Sequence, residues 1–286
     1  MTTASLVPTV GADRPNPPET AVIQRPGGGI AYDVQGSGPL VVCLPGMGAT
    51  RGLFRFLAPA LAAVGYRVAT MDLRGHGESD TSFHEYDDIA AGSDALALID
   101  VIGGNRAVLI GNSMGAGACV WAAAEAPDRV AGLVLLGPFV RDHPTGGLAT
   151  LASRLALMRP WGPAAWRAYH ARLYPSRKPT DFAEYQASLS RSLSRPGAWR
   201  AFVATTKTRH APVEARLGDV RAPALVVMGE RDSDFPDPAA EARWIADHLD
   251  AELLVVPGAG HYPQVERPDL VVPAVTGFLD RVISHA

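Results

Sequence analysis

Short, continuously apolar runs alternate with helical stretches along most of this chain, and that rhythm limits the fold more than any other feature. Strand-like segments at Ala21–Gln24, Ile30–Gln35 and Leu40–Leu44 come first. The pattern then predicts a helix over Leu53–Ala63, a strand over Arg67–Met71, a helix over Asp87–Ile102 and a strand over Ala107–Ile110. A helix over Met114–Ala126 and a strand over Val130–Leu136 follow. Strands half-exposed to water alternate apolar with polar residues, whereas runs such as Val108-Leu109-Ile110 suit strands covered on both faces. The expectation is an α/β fold with a mostly parallel central sheet, helices on both faces and right-handed crossovers.

The rhythm stops near Arg141 and resumes near Pro223, with strands over Ala224–Met228 and Ala251–Val256 and helices over Ala239–Leu249 and Leu270–Ser284. Between them, residues 141–217 hold no strand-like run and read as short helices broken by Pro160, Pro163, Pro175, Pro179 and Pro196. This segment carries 11 Arg and 2 Lys against 4 acidic residues, a net charge of +9 in a chain of net charge −3. Eight of the 20 aromatic residues also lie there. The division expected is a mobile leader over 1–20, an α/β core over 21–140 and 218–286, and an inserted helical cap over 141–217 at one end of the sheet. Gly27-Gly28-Gly29 and Gly36-Ser37-Gly38-Pro39 separate strands and lead into no helix, so they read as turns rather than phosphate cradles.

Composition removes several classes. With 26 basic and 29 acidic side chains, the chain lacks the basic surplus of a general nucleic-acid binder. Cys43 and Cys119 sit inside apolar runs and read as core residues of a reducing compartment, not as a disulfide or zinc framework. No apolar run approaches the ~20 residues that cross a bilayer, and Met1–Thr20 lacks the basic start and apolar stretch of a signal peptide. A cytoplasmic globule, binding neither nucleic acid nor membrane, is the expectation.

Chemistry concentrates in Gly111-Asn112-Ser113-Met114-Gly115, placed between a strand and a helix. A serine on so tight a turn needs small neighbours two residues either side. The turn lifts its hydroxyl beyond the sheet, at a helix N-terminus where free N–H groups favour developing negative charge. A serine hydroxyl is a weak nucleophile and needs a base, which needs an orienting acid. His261, in the loop Gly258-Ala259-Gly260-His261 after the last strand, lies at the strand end where open α/β sheets place their chemistry. His76, in Arg74-Gly75-His76-Gly77, reads as structural. For the acid, Asp232 and Asp234 both follow the strand Ala224–Met228 closely enough, and Glu230 fits less well. A spacing of three residues past Gly229 favours Asp232.

On these residues the chain resembles a capped serine hydrolase of the α/β-hydrolase superfamily, over roughly Ala21 to Ser284. Four landmarks carry the resemblance: Leu44-Pro45-Gly46-Met47-Gly48, Asp72-Leu73-Arg74-Gly75-His76-Gly77-Glu78-Ser79, the Ser113 turn, and Gly258-Ala259-Gly260-His261. They are specific for fold and catalytic set and say little of substrate. The family often has histidine where Pro45 stands, which bears on loop geometry. The resemblance implies a catalytic triad of Ser113, His261 and Asp232, with the backbone N–H groups of Met47 and Met114 as oxyanion donors. It implies hydrolysis of a carboxylic ester or thioester through an acyl-enzyme. Carbon–carbon bond hydrolysis of a diketone-type substrate is the alternative, since Gly-Asn-Ser-Met-Gly resembles those enzymes too, although Ala116 stands where they often carry glycine. Cofactor-free perhydrolases or haloperoxidases, and non-hydrolytic receptors or isomerases of the fold, are further alternatives. Arg51 breaks a dinucleotide reading of Gly46-Met47-Gly48, and no P-loop, HExxH or zinc spacing occurs, so neither cofactor nor metal is expected. The expected partner is a small-molecule substrate, with an anionic or acyl-carrier-linked one suggested by the arginines, acting on a monomer or homodimer.

Overall fold

The computed structural model describes residues 18–143 and 147–284. Most of the expected leader, up to Pro17, lies outside them. Eight strands form one sheet: β1 (Ala21–Arg25), β2 (Gly28–Gln35), β3 (Leu40–Leu44), β4 (Arg67–Met71), β5 (Ala107–Asn112), β6 (Val130–Leu136), β7 (Ala224–Gly229) and β8 (Glu252–Val256). Their order across the sheet is β1-β2-β4-β3-β5-β6-β7-β8. The pairs β1–β2 and β2–β4 are antiparallel and the remaining pairs parallel.

Because side chains alternate along a strand, each central strand feeds two apolar layers. Val41, Cys43, Val108, Ile110, Val134 and Leu136 join one layer, covered by α1 (Leu57–Ala63) and the long C-terminal helix Pro268–Ser284. Val42, Leu44, Leu109, Leu133 and Leu135 join the other, under α2 (Asp88–Val101) and α3 (Met114–Glu125). Both cysteines are free and buried in these layers, as their apolar surroundings implied. The continuous apolar runs therefore have the double burial that their pattern required.

Among the described residues, five α-helices and a 3₁₀ turn (Leu217–Asp219) lie between β6 and β7, the helices being α4 (Gly147–Ala156), α5 (Gly162–Arg172), α6 (Phe182–Ser194), α7 (Ala198–Thr205) and α8 (Ala211–Glu214). After β7 come α9 (Pro238–Leu249), α10 (Pro263–Glu266) and α11 (Pro268–Ser284).

Two local expectations need correction. The helix expected over Leu53–Ala63 is split into a 3₁₀ turn, Arg51–Phe54, and α1. Pro163 does not break a helix. It opens α5, where its missing N–H would have had no partner anyway. Among the described residues no helix is long and apolar enough to cross a membrane.

Candidate active site

The central turn sits where β5 ends and α3 begins, between β3 and β6. Ser113 has a φ of 56°, one of two positive values among non-glycine residues described. The conformation is held by crowding. A Cβ on Gly111 would lie 2.3 Å from the Gly115 carbonyl oxygen, and one on Gly115 would lie 2.4 Å from that of Leu44. Only glycine lets the strand, turn and helix close this tightly. The loop after β3 comes as near, since a Cβ on Gly46 would meet the Ser113 Cβ at 2.7 Å. Ser113 N–H donates to the Leu136 carbonyl at 2.9 Å, which fixes the turn against β6.

His261 and Asp232 meet beside this turn. The two are 2% and 1% exposed, and His261 Nδ1 lies 2.8 Å from Asp232 Oδ2. A carboxylate accepts, so Nδ1 carries the proton and Nε2 is left with a lone pair. Asp234 is the second carboxylate, with Oδ2 3.6 Å from the same nitrogen. Its own N–H donates to Asp232 Oδ1 at 3.0 Å. Burial alone would hold the His261 imidazole neutral, but the facing carboxylates of Asp232 and then Asp234 outweigh it and raise its pKa above the ordinary value. Burial likewise pushes the Asp234 carboxyl up, against the pull of His261. Ligating atoms of Asp232, Asp234 and His261 lie within 4.8 Å of one another. That trio is the group among the described residues with metal-ligand chemistry, yet its Nδ1 is committed to Asp232.

Four further residues tie the pieces together, and the sequence did not single out three of them. Asn112 Nδ2 donates to the carbonyls of Leu136 at 3.0 Å and His261 at 3.2 Å, linking the serine turn to the histidine loop. Gly137 supplies clearance, because a Cβ there would stand 3.2 Å from His261 Nδ1 and 3.3 Å from Asp232 Oδ2. Tyr169, on α5, donates its hydroxyl to Asp234 Oδ1. His76, read as structural, is structural: Nδ1–H donates to the Arg74 carbonyl at 2.9 Å and Nε2 accepts the Gly48 N–H at 3.0 Å. Met47 follows Gly46 and Met114 follows Ser113 in the chain, and among the described residues no backbone acceptor outside the regular elements is found for either N–H. A signal for Asn112 and Gly137 exists only in three dimensions, since both act on a loop more than a hundred residues downstream.

A sheet in this order, with a strained serine at its central strand–helix turn and a buried acid–histidine pair beside it, defines the α/β-hydrolase class. The chain matches the alpha/beta hydrolase family over residues 41–274 and belongs to it. It is 30% identical, over 86% of its length and 90% of the relative's, to a 2-(acetamidomethylene)succinate hydrolase of Mesorhizobium japonicum. It is 32% identical, over 87% of its length and 89% of the relative's, to a 2-hydroxy-6-oxononadienedioate/2-hydroxy-6-oxononatrienedioate hydrolase of Dechloromonas aromatica. Among solved structures it is similar to a thermophilic esterase from Thermogutta terrifontis, with a TM-score of 0.74, 25% identity, and coverage of 92% of this chain and 99% of that one.

Proposed function

We propose that this protein is an acyl hydrolase that cleaves a carboxylic ester or thioester of a small organic substrate through an acyl-enzyme. The observation that carries the reading is Ser113, at φ 56° on the turn next to the buried His261–Asp232 pair. Ser113 Oγ attacks the substrate carbonyl while His261 Nε2 takes its proton, and Asp232 stabilises the imidazolium so formed. The oxyanion is received by the N–H groups of Met47 and Met114, the second of which opens the 12-residue helix α3 and adds its dipole. Protonated His261 then passes its proton to the leaving alcohol or thiol, and water repeats the cycle to free the acid. Helices α4–α8 act as the cap. In support, Leu173 at the end of α5 accepts the His261 N–H at 3.1 Å, and Trp166 packs on Gly48 beside Met47.

Carbon–carbon bond hydrolysis of a diketone-type substrate is the second reading. The relative named as a 2-hydroxy-6-oxononadienedioate hydrolase favours it, together with Asn112 beside the serine. A panel of aryl esters, acyl thioesters and a vinylogous 1,5-diketone separates the two. The acyl-hydrolase reading expects turnover of the esters at least tenfold above the diketone; the reverse order overturns it.

A further inference from the structure

Two carboxylates face one imidazole nitrogen, and only one of them bonds it. Asp232 Oδ2 lies 2.8 Å from His261 Nδ1, whereas Asp234 Oδ2 stands at 3.6 Å, beyond hydrogen-bond length but within reach of a small side-chain rotation. We propose that Tyr169 is a positioning residue for the hydrolysis: its hydroxyl holds Asp234 off the ring, and Asp234 is a reserve orienting acid that takes over when Asp232 and that hydroxyl are both removed. This rests on the acyl-hydrolase reading.

Asp234 is fixed at both ends. Its N–H donates to Asp232 Oδ1 at 3.0 Å, and its own Oδ1 accepts from the Tyr169 hydroxyl. Two carboxylates so close repel each other, and a separate donor for one of them eases that repulsion. Tyr169 stays a donor through the working pH range, because burial first and then the charge of Asp234 raise its pKa above the ordinary phenol value. The hydroxyl thus opposes any rotation toward Nδ1 that draws Asp234 Oδ1 away from it. Glu266 also acts on the charge of His261, but its carboxylate is engaged elsewhere: it accepts from the Gly260 N–H at 2.6 Å and from Ser176 Oγ at 2.7 Å. The reserve is Asp234.

Helix α5 makes a firm post for that hydroxyl. Residues three and then four apart share one face of a helix, and here they meet three loops of the site in turn. The Trp166 indole lies 2.3 Å from where a Gly48 Cβ would be, in the loop after β3. Tyr169 reaches Asp234 in the loop after β7. Leu173, at the helix end, accepts the His261 N–H at 3.1 Å in the loop after β8. The Trp166 and Tyr169 rings also pack on each other, 5.5 Å between centroids.

The test starts from Asp232→Ala, which removes the bonded carboxylate and should cut kcat for p-nitrophenyl acetate by roughly 10⁴-fold, the general cost of losing a triad acid. Adding Tyr169→Phe frees Asp234 to take Nδ1 and should restore kcat by about tenfold or more over Asp232→Ala. Adding Asp234→Asn to that pair should abolish the gain. If Tyr169 only anchors the helix, Tyr169→Phe lowers kcat in the Asp232→Ala background or leaves it unchanged, and either result overturns the proposal. Asp232→Asn, which keeps an acceptor for the Asp234 N–H, replaces Asp232→Ala if circular dichroism shows the latter unfolded. Proton NMR supplies a readout that needs no substrate, since an imidazole N–H bonded to a carboxylate resonates far downfield. That signal should be present in the wild type, lost in Asp232→Ala and regained in Asp232→Ala/Tyr169→Phe; its continued absence from the double variant overturns the proposal. Its return in a protein that turns over no ester would leave the positioning role standing and sink the acyl-hydrolase reading.

Discussion

At the scale of single residues, two carboxylates compete for one imidazole. Asp232 makes the 2.8 Å bond to His261 Nδ1 and Asp234 stands 3.6 Å away, held by Tyr169. The two therefore have separable effects. Asp232→Asn removes the charge that fixes the productive tautomer and should cost up to about 10⁴-fold in kcat. Asp234→Asn should leave the tautomer in place and change the pH profile instead. His261 must be neutral to act as base, and Asp234 favours its charged form. Removing that charge lowers the imidazole pKa, so the acid limb of kcat/KM should move to lower pH. An unmoved limb in Asp234→Asn would show that Asp234 is electrostatically silent. Gly137→Ala offers a steric test at the same place. Its Cβ would press on the acid–histidine pair, and misplacement of this kind costs on the order of 10–100-fold in turnover. The candidate serine and histidine were legible in the sequence because the glycine spacing of the turn is a local steric demand. The choice between Asp232 and Asp234 was harder to read. Two carboxylates two residues apart on one turn both reach the same nitrogen, and spacing alone separates them weakly.

At the scale of elements, the loop after β3 and the loop after β4 act as a unit. The His76 ring spans them, donating to Arg74 and accepting from Gly48. Burial pushes its pKa down to about 4, so the folded protein resists protonating it while the unfolded chain takes the proton near pH 6.5. The stability that neutral His76 provides is thus complete above pH 6.5 and is lost as the pH falls toward 4. His76→Gln keeps a donor and an acceptor without titrating. Thermal melting followed between pH 7 and pH 4 should fall more steeply for the wild type than for this variant. Parallel curves would remove His76 as the cause. Elements with long apolar runs were legible because double burial leaves no other arrangement for them. Element edges were not. The 3₁₀ turn at Arg51–Phe54 is set by Arg51, whose N–H donates to Asp72 at 2.7 Å and whose side chain pairs with Asp33, Asp72 and Glu78. Those partners come from two parts of the chain, β2 and the loop after β4. Helix α5 carries the same lesson: Trp166 and Tyr169 look like ordinary helix residues until Gly48, after β3, and Asp234, after β7, are placed against them.

At the scale of the whole molecule, charge is divided unevenly. Residues 141–217 carry a net +9 and the remainder −12. Trp199 and Phe202 are buried, whereas Trp161 is 53% exposed, so the aromatics of this segment do not all pack down. If the basic segment draws in an anionic substrate, association will depend on salt. Matched neutral and monoanionic aryl esters, compared between about 0.01 M and 1 M ionic strength, span Debye lengths from ~30 to ~3 Å. The anionic ester should lose its advantage as salt rises. Equal salt response of the two esters would assign the arginines to solvation alone. The central claim, however, is the role of Ser113, and one measurement reaches it directly: fluorophosphonate labelling mapped by mass spectrometry, run beside ester turnover in Ser113→Ala. The predicted result is a single phosphonate adduct on Ser113. Ser113→Ala should be folded by circular dichroism, unlabelled, and reduced in kcat by roughly 10³–10⁶-fold. An adduct on any other residue, or a folded Ser113→Ala retaining more than about a tenth of wild-type turnover, would contradict it.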